Sequence, residues 1–168
     1  MEASSAARLR SRSIDDYLDV RLHLAALSLV AGLIHGVVAI PHFQQFWLFG
    51  SFFCALSLFQ LGWGVAVHER PSPWLYRVGL AASLAVIALW AITRTTGLPL
   101  VPEPGSPEAI GPLDATAVAV EAVLALLCGC MLCPRHRLPA PVAVIRGTVL
   151  ALMGAGLLAL LLGAGHHS

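Results

Sequence analysis

Lysine is missing from this chain, so its ten basic side chains are all arginines. Charge of either sign is scarce: 11% of the 168 residues are charged, against about 25% in a soluble domain. With 58% of the residues hydrophobic, so little charge cannot cover a water-facing surface. The composition is that of a polytopic membrane protein. The lack of lysine itself reads as the codon bias of a GC-rich genome rather than as chemistry. Net charge is +1 and no basic tract follows the N-terminal arginines, so nucleic-acid binding has no electrostatic support. P-loop, G-x-S-x-G and H-E-x-x-H motifs are absent, as is a pair of CxxC motifs. The chain thus carries no recognisable catalytic apparatus, and its sequence requires no cofactor.

What fills the space is apolar. Five runs, at about 22–40, 45–67, 74–95, 114–133 and 142–162, are each close to the ~20 residues that cross a bilayer as a helix. The first is too long for a cleaved signal, whose apolar core is roughly 7–15 residues, and lacks a small-x-small cleavage site. It reads as a retained helix. The expected fold is therefore an all-α integral membrane protein, a bundle of five transmembrane helices. Residues 1–12 are expected to be a disordered cytoplasmic arm, 13–163 one helical membrane domain, and 164–168 a short external tail.

The arginines orient this bundle. Arg8, Arg10, Arg12 and Arg21 precede the first span, Arg70 and Arg77 flank the second turn, and Arg135, Arg137 and Arg146 flank the fourth. Positive charge collects in short cytoplasmic loops, so the N-terminus is expected inside and the C-terminus outside, in the plasma (inner) membrane. Only Arg94 lies on the outer side. Rings crowd the membrane edges (Phe46, Trp47, Trp63, Trp74, Tyr76), and no aromatic residue follows Trp90.

Local signals set the span ends. Ser13, followed by Asp15 and Asp16, resembles a helix start, and Pro41 is expected to end the first span and leave His42 in the turn. The loop Gly97–Leu113 holds five prolines and two acids (Glu103, Glu108), which makes it stiff and acidic. Asp114 follows as a cap for the fourth helix.

Polar groups inside the spans are the candidate site. A charged group near the centre of an isolated membrane helix costs at least ~2.5–3.5 kcal/mol, so each needs a partner or a role. At ~1.5 Å per residue, His35 lies roughly 8 Å below the outer end of its helix and Glu121 roughly 10 Å below Asp114. Arg94 sits at the rim within reach of that level, and Glu121 is its expected partner. His35, His42, Arg94, Asp114 and Glu121 thus form a candidate polar site in the outer leaflet; the competing reading is an internal ion pair that only holds helices together. Gly32 and Gly36 bracket His35 in a GxxxG pattern that permits close helix approach. Gln60, the only amide deep in the second span, is expected to hydrogen-bond a neighbouring helix. The outer face also gathers His166 and His167, which with the acids suit a divalent cation only as scattered groups. At the inner end of the fourth span, Cys128, Cys130, Cys133 and His136 are soft-metal donors, although Cys128 and Cys130 point roughly 200° apart on a helix.

The stretch from His35 to Asp114 resembles a group of small, uncharacterised bacterial polytopic membrane proteins. The residues that carry this are Gly32-Leu-Ile-His35, His42-Phe43, Phe46-Trp47-Leu-Phe-Gly50, Arg70-Pro-Ser72, Trp90, Thr93-Arg94, Gly97-Leu-Pro99 and Pro102-Glu103-Pro-Gly105, leading to Glu108 and Gly111. The resemblance implies the membrane fold and no particular activity. Three readings follow from the residues. The first is a sensing, binding or accessory role through the outer polar site. The second is a small proton-coupled transporter with Glu121 as proton carrier. The third is a metal- or haem-binding redox protein. The lipid bilayer is the certain partner, with a membrane protein or a second copy of the chain left open.

Overall fold

The computed structural model describes residues 2–96, 110–133, 147–152, 154, 155 and 158, with side chains from residue 20 onward. Four long helices account for most of it: α1 (Glu2–Gln45), α2 (Trp47–Glu69), α3 (Pro73–Thr95) and α4 (Pro112–Leu132). All four are long and apolar enough to cross a membrane, with Val20–Gln45 the spanning part of α1. A multi-pass membrane protein is the architecture these lengths describe.

The boundaries of α2, α3 and α4 fall within about two residues of the expected spans, because strong local signals set them. Ser72 caps α3, its hydroxyl accepting from the Leu75 N–H at 3.3 Å, and Pro73 supplies a first residue that has no N–H to satisfy. Gly111, not Asp114, is the cap position of α4; Asp114 stands three residues on, and its carboxylate reaches back to accept from the Gly111 N–H at 3.1 Å and close the first turn.

Helix α1 differs at both ends. It is helical from Glu2 rather than from Ser13, so Ser13 is not a cap; six of residues 2–12 are Ala or Arg, both good helix formers. It also runs through Pro41 to Gln45, which puts His42 on the helix instead of in a turn. Proline forfeits one bond, to the carbonyl four residues back, but the helix resumes and its last carbonyls are used. The Phe46 N–H donates to the His42 carbonyl at 2.9 Å, and His42 Nδ1 lies 2.8 Å from the Val38 carbonyl. Phe46 alone, in extended conformation, separates α1 from α2.

The helices pair as two hairpins. Contact is extensive between α1 and α2 and between α3 and α4, moderate between α1 and α4, and slight between α2 and α3. Small residues bring α1 against α2: a Cβ on Gly32 would meet Leu61 Cγ at 2.9 Å and the Ser57 carbonyl at 3.2 Å. One on Gly64 would lie 3.2 Å from the Ala25 carbonyl. Hydroxyls stitch the same seam, with Ser57 donating to the Gly32 carbonyl at 2.7 Å and Ser28 to the Gln60 carbonyl at 2.8 Å. Close packing and interhelical bonds, rather than hydrophobic burial, hold membrane helices together, and this seam supplies both.

Buried apolar residues gather mainly at one end, where Leu24, Leu27, Trp63, Val67, Tyr76, Leu124 and Leu127 pack together. Arg21 donates to the His68 carbonyl at that end, and Trp63 Nε1 donates to the Leu75 carbonyl at 2.9 Å, bridging α2 to α3. Of the fifth expected span (142–162), residues 147–152 are helical and Val149 is buried in this core. Its remaining residues lie outside those described, apart from 154, 155 and 158. The loop acids Glu103 and Glu108, the turn residues Arg135, His136 and Arg137, Arg146, and the tail with His166 and His167 also lie outside the described residues.

Candidate functional site

The polar groups meet where the two hairpins face each other. His35 projects from α1, where Gly32 and Gly36 let α2 come close on the same face. Gln60 on α2 occupies the centre, its side chain bonded in two directions. Its carbonyl Oε1 lies 2.8 Å from His35 Nδ1, and its amide Nε2 donates to Glu121 Oε1 on α4. All three side chains are buried, Glu121 completely. Among the described residues the second carboxyl oxygen, Oε2, has no hydrogen-bond partner.

The direction of these bonds fixes the histidine. An amide is polar end to end: its NH2 only donates and its oxygen only accepts. With the NH2 turned to Glu121, the amide oxygen faces the imidazole, so His35 Nδ1 must carry the hydrogen and donate it. In the neutral ring that leaves Nε2 as a bare acceptor. Gln60 therefore transmits the identity of residue 121 to the ring of residue 35.

Arg94 and Asp114 form a second group, nearer the helix ends. Arg94 Nη2 lies 2.9 Å from Asp114 Oδ2, with the arginine side chain largely buried and the aspartate about a third exposed. The expected pairing of Arg94 with Glu121 is thus replaced by two separate contacts. The reason is level along the bundle. Arg94 is one residue from the end of α3, Asp114 is two residues into α4, and Glu121 is seven residues, or ~10 Å, deeper. The nearer carboxylate takes the guanidinium.

Between the groups lies a cavity of about 90 Å³ to which all four helices contribute. His35 and His42 from α1, Phe49, Phe52 and Phe53 from α2, Trp90 and Arg94 from α3, and Asp114 and Ala117 from α4 are in its wall. The His35 ring stacks on Phe53 at 5.8 Å between centroids, and His42 approaches the same ring at 4.5 Å. The indole Nε1 of Trp90 is buried and, among the described residues, has no hydrogen-bond acceptor. Glu121 itself does not line the cavity; it lies one turn beyond Ala117 and connects to it only through Gln60 and His35.

Four of the five expected site residues, His35, His42, Arg94 and Asp114, therefore share one cavity, with Glu121 behind it. Two residues that complete the arrangement were not among them. Gln60 does bond neighbouring helices as expected, but as the link between His35 and Glu121; its spacing from Ser57 and Gly64 (three and four residues) is the sequence signal that it faces the α1 seam. Trp90 carries no such signal.

The cysteines separate instead of converging. Cys128 is buried, Cys130 half-buried and Cys133 exposed, while His136 lies outside the described residues. Among the described residues no three His, Cys, Asp or Glu side chains are grouped to hold a metal ion. No protein-family model matches the chain, and no curated protein or solved structure is significantly similar to it.

Proposed function

We propose that this chain is a five-span plasma-membrane protein, N-terminus inside and C-terminus outside, that binds a small molecule in the outer half of the bilayer. The observation that carries the reading is the cavity shared by α1, α2, α3 and α4, lined by phenyl rings and with His35 in its wall. Ligand sites are concave, mostly apolar and supplied with a few convergent polar groups, and this cavity has that make-up. Binding there serves a sensing or accessory role; among the described residues no nucleophile and base are paired at it.

The test is to fill the space. Ala117 is on the cavity wall, and replacing it by tryptophan fills the space while leaving every polar side chain of the wall in the sequence. Purified protein in nanodiscs, screened with small aromatic compounds by thermal shift and by tryptophan fluorescence, should yield binders that Ala117→Trp no longer retains. Binders held equally by both proteins would place the site elsewhere.

A second reading, a small proton-coupled transporter, draws on a different observation. Glu121 is buried, has one unbonded oxygen, and reaches the cavity through a chain of hydrogen-bonding side chains. Intramembrane carboxyls of this kind carry protons in pumps and transporters. Proton uptake into proteoliposomes that depends on a solute gradient, and that Glu121→Gln abolishes, would decide for it. The metal- or haem-binding reading gains no ligand set among the described residues.

A further inference from the structure

We infer that the cavity takes a small, uncharged hydroxyl-bearing aromatic molecule of the phenol class, its hydroxyl bonded by His35 and Trp90. The inference rests on the binding reading above and specifies its ligand.

Complementarity narrows the class step by step. The wall carries bare acceptors: the bond from Gln60 assigns the hydrogen to His35 Nδ1 and leaves its Nε2 free in the neutral ring, and the Val38 carbonyl does the same for His42. Its neutral donor is the Trp90 indole N–H, which is buried and without an acceptor among the described residues, whereas the Arg94 guanidinium in the same wall is held by Asp114. A buried donor without an acceptor loses its hydrogen bond to water and regains it only from a ligand. The occupant must therefore give one hydrogen bond and accept another. A hydroxyl does both from a single atom, keeping two lone pairs while it donates. An aromatic amine donates but accepts weakly, because its nitrogen lone pair is delocalised into the ring.

Shape and charge supply the rest. Phe49, Phe52 and Phe53 form an aromatic wall, the surface on which a flat ring stacks or meets edge-to-face. A cavity of about 90 Å³ restricts the occupant to a small molecule. The charges at the cavity, Arg94 and Asp114, are paired with each other at 2.9 Å, so a neutral ligand meets no uncompensated ion. A carboxylate or an ammonium would have to break that pair to find its own partner.

The structure thus predicts discrimination by a hydroxyl. Sites that hydrogen-bond a ligand hydroxyl reject the analogue without it, because their own polar groups are then left unpaired. The probes are para-fluorophenol and fluorobenzene, titrated by fluorine NMR into the full-length protein in nanodiscs, with empty nanodiscs subtracted for partition into lipid. A phenol ionises only near pH 10, so at neutral pH both probes are uncharged. The expected result is at least about tenfold tighter binding of para-fluorophenol. Trp90→Phe keeps a ring in the wall but removes the N–H together with part of the indole, so the readout is the ratio of the two affinities, which should shrink to a fewfold. His35→Phe should do the same, and Trp90→Phe serves if His35→Phe fails to fold. Equal affinity of the two probes for the native protein would overturn the hydroxyl assignment and leave the binding reading standing. A tenfold preference that survives both substitutions would also overturn it. Binding of neither probe, with no other small aromatic displaced by Ala117→Trp, would overturn both.

Discussion

Arg94 reaches Asp114 across 2.9 Å and so fastens the end of α3 to the beginning of α4. The same aspartate oxygen also accepts from the Gly111 N–H, so one carboxylate closes a helix and anchors its neighbour. The two roles can be separated. Asp114→Asn keeps an acceptor for the cap and loses the charge, whereas Asp114→Ala loses both. A partly exposed ion pair contributes about 0–1 kcal/mol and an N-terminal cap about 1 kcal/mol. Thermal unfolding in detergent should therefore rank native above Asp114→Asn above Asp114→Ala; equal melting of the two variants would mean that the cap contributes nothing.

Gln60 is expected to be the most sensitive polar position. Gln60→Leu strands a buried imidazole N–H and a buried carboxyl at once, each costing about 1–3 kcal/mol when left unsatisfied. The loss should shrink when Glu121→Leu and His35→Phe are added, because an apolar replacement of the whole network removes the unpaired groups. A triple variant as unstable as Gln60→Leu alone would show that the network is not the source of the loss.

Glu121→Gln should leave stability unchanged or raise it slightly. The new amide still presents an oxygen to Gln60 Nε2, so the bond survives while the ionisable group is gone. Chemical or thermal unfolding of this variant separates a structural glutamate from a working one: normal folding with altered ligand binding or transport assigns it a function.

Two glycines make a matched pair. A Cβ on Gly79 would overlap the Trp63 ring at Cζ2, in the core that joins α2 to α3, while one on Gly62 meets nothing within 4 Å among the described residues. Gly79→Ala should cost about 1–3 kcal/mol of stability through overpacking, and Gly62→Ala should stay within about 0.5 kcal/mol of native. Similar melting of the two variants would contradict the packing described.

Topology is tested with cysteines. In a chain whose four native cysteines are replaced, single cysteines at Ser4 and at Ser168 should react with a membrane-impermeant maleimide from opposite sides. Labelling of both from one side would require an even number of spans.

The membrane architecture was legible because the signals behind it are local. Pro73, Ser72 and Asp114 act within their own first turns, so the ends of α3 and α4 could be read from neighbours in the chain. Arg94, Asp114, His35 and Glu121 stood out by being polar where lipid or packed helices surround them. Their pairing was not legible. Counting residues along a helix gives depth but not which helix faces which, and the Arg94–Asp114 and Gln60–Glu121 contacts join residues on different helices. The far end of α1 failed for another reason: Pro41 is a strong breaker in isolation, yet the chain still closes one more turn around the His42 carbonyl.

The pairing of the helices into two hairpins also bears on how the protein is made. His35 and Gln60 belong to the first hairpin, while Trp90, Arg94, Asp114 and Glu121 belong to the second. Neither half contains the whole site: the first hairpin matches the Gln60 oxygen with His35, but the Gln60 amide NH2 finds its partner only on the second. The second hairpin supplies that carboxyl, so the contact between Gln60 and Glu121 forms only when the two hairpins are docked. Separating the hairpins would leave a carboxyl and an amide NH2 unsatisfied in an apolar setting, which ties the integrity of the site to the docking of the two halves.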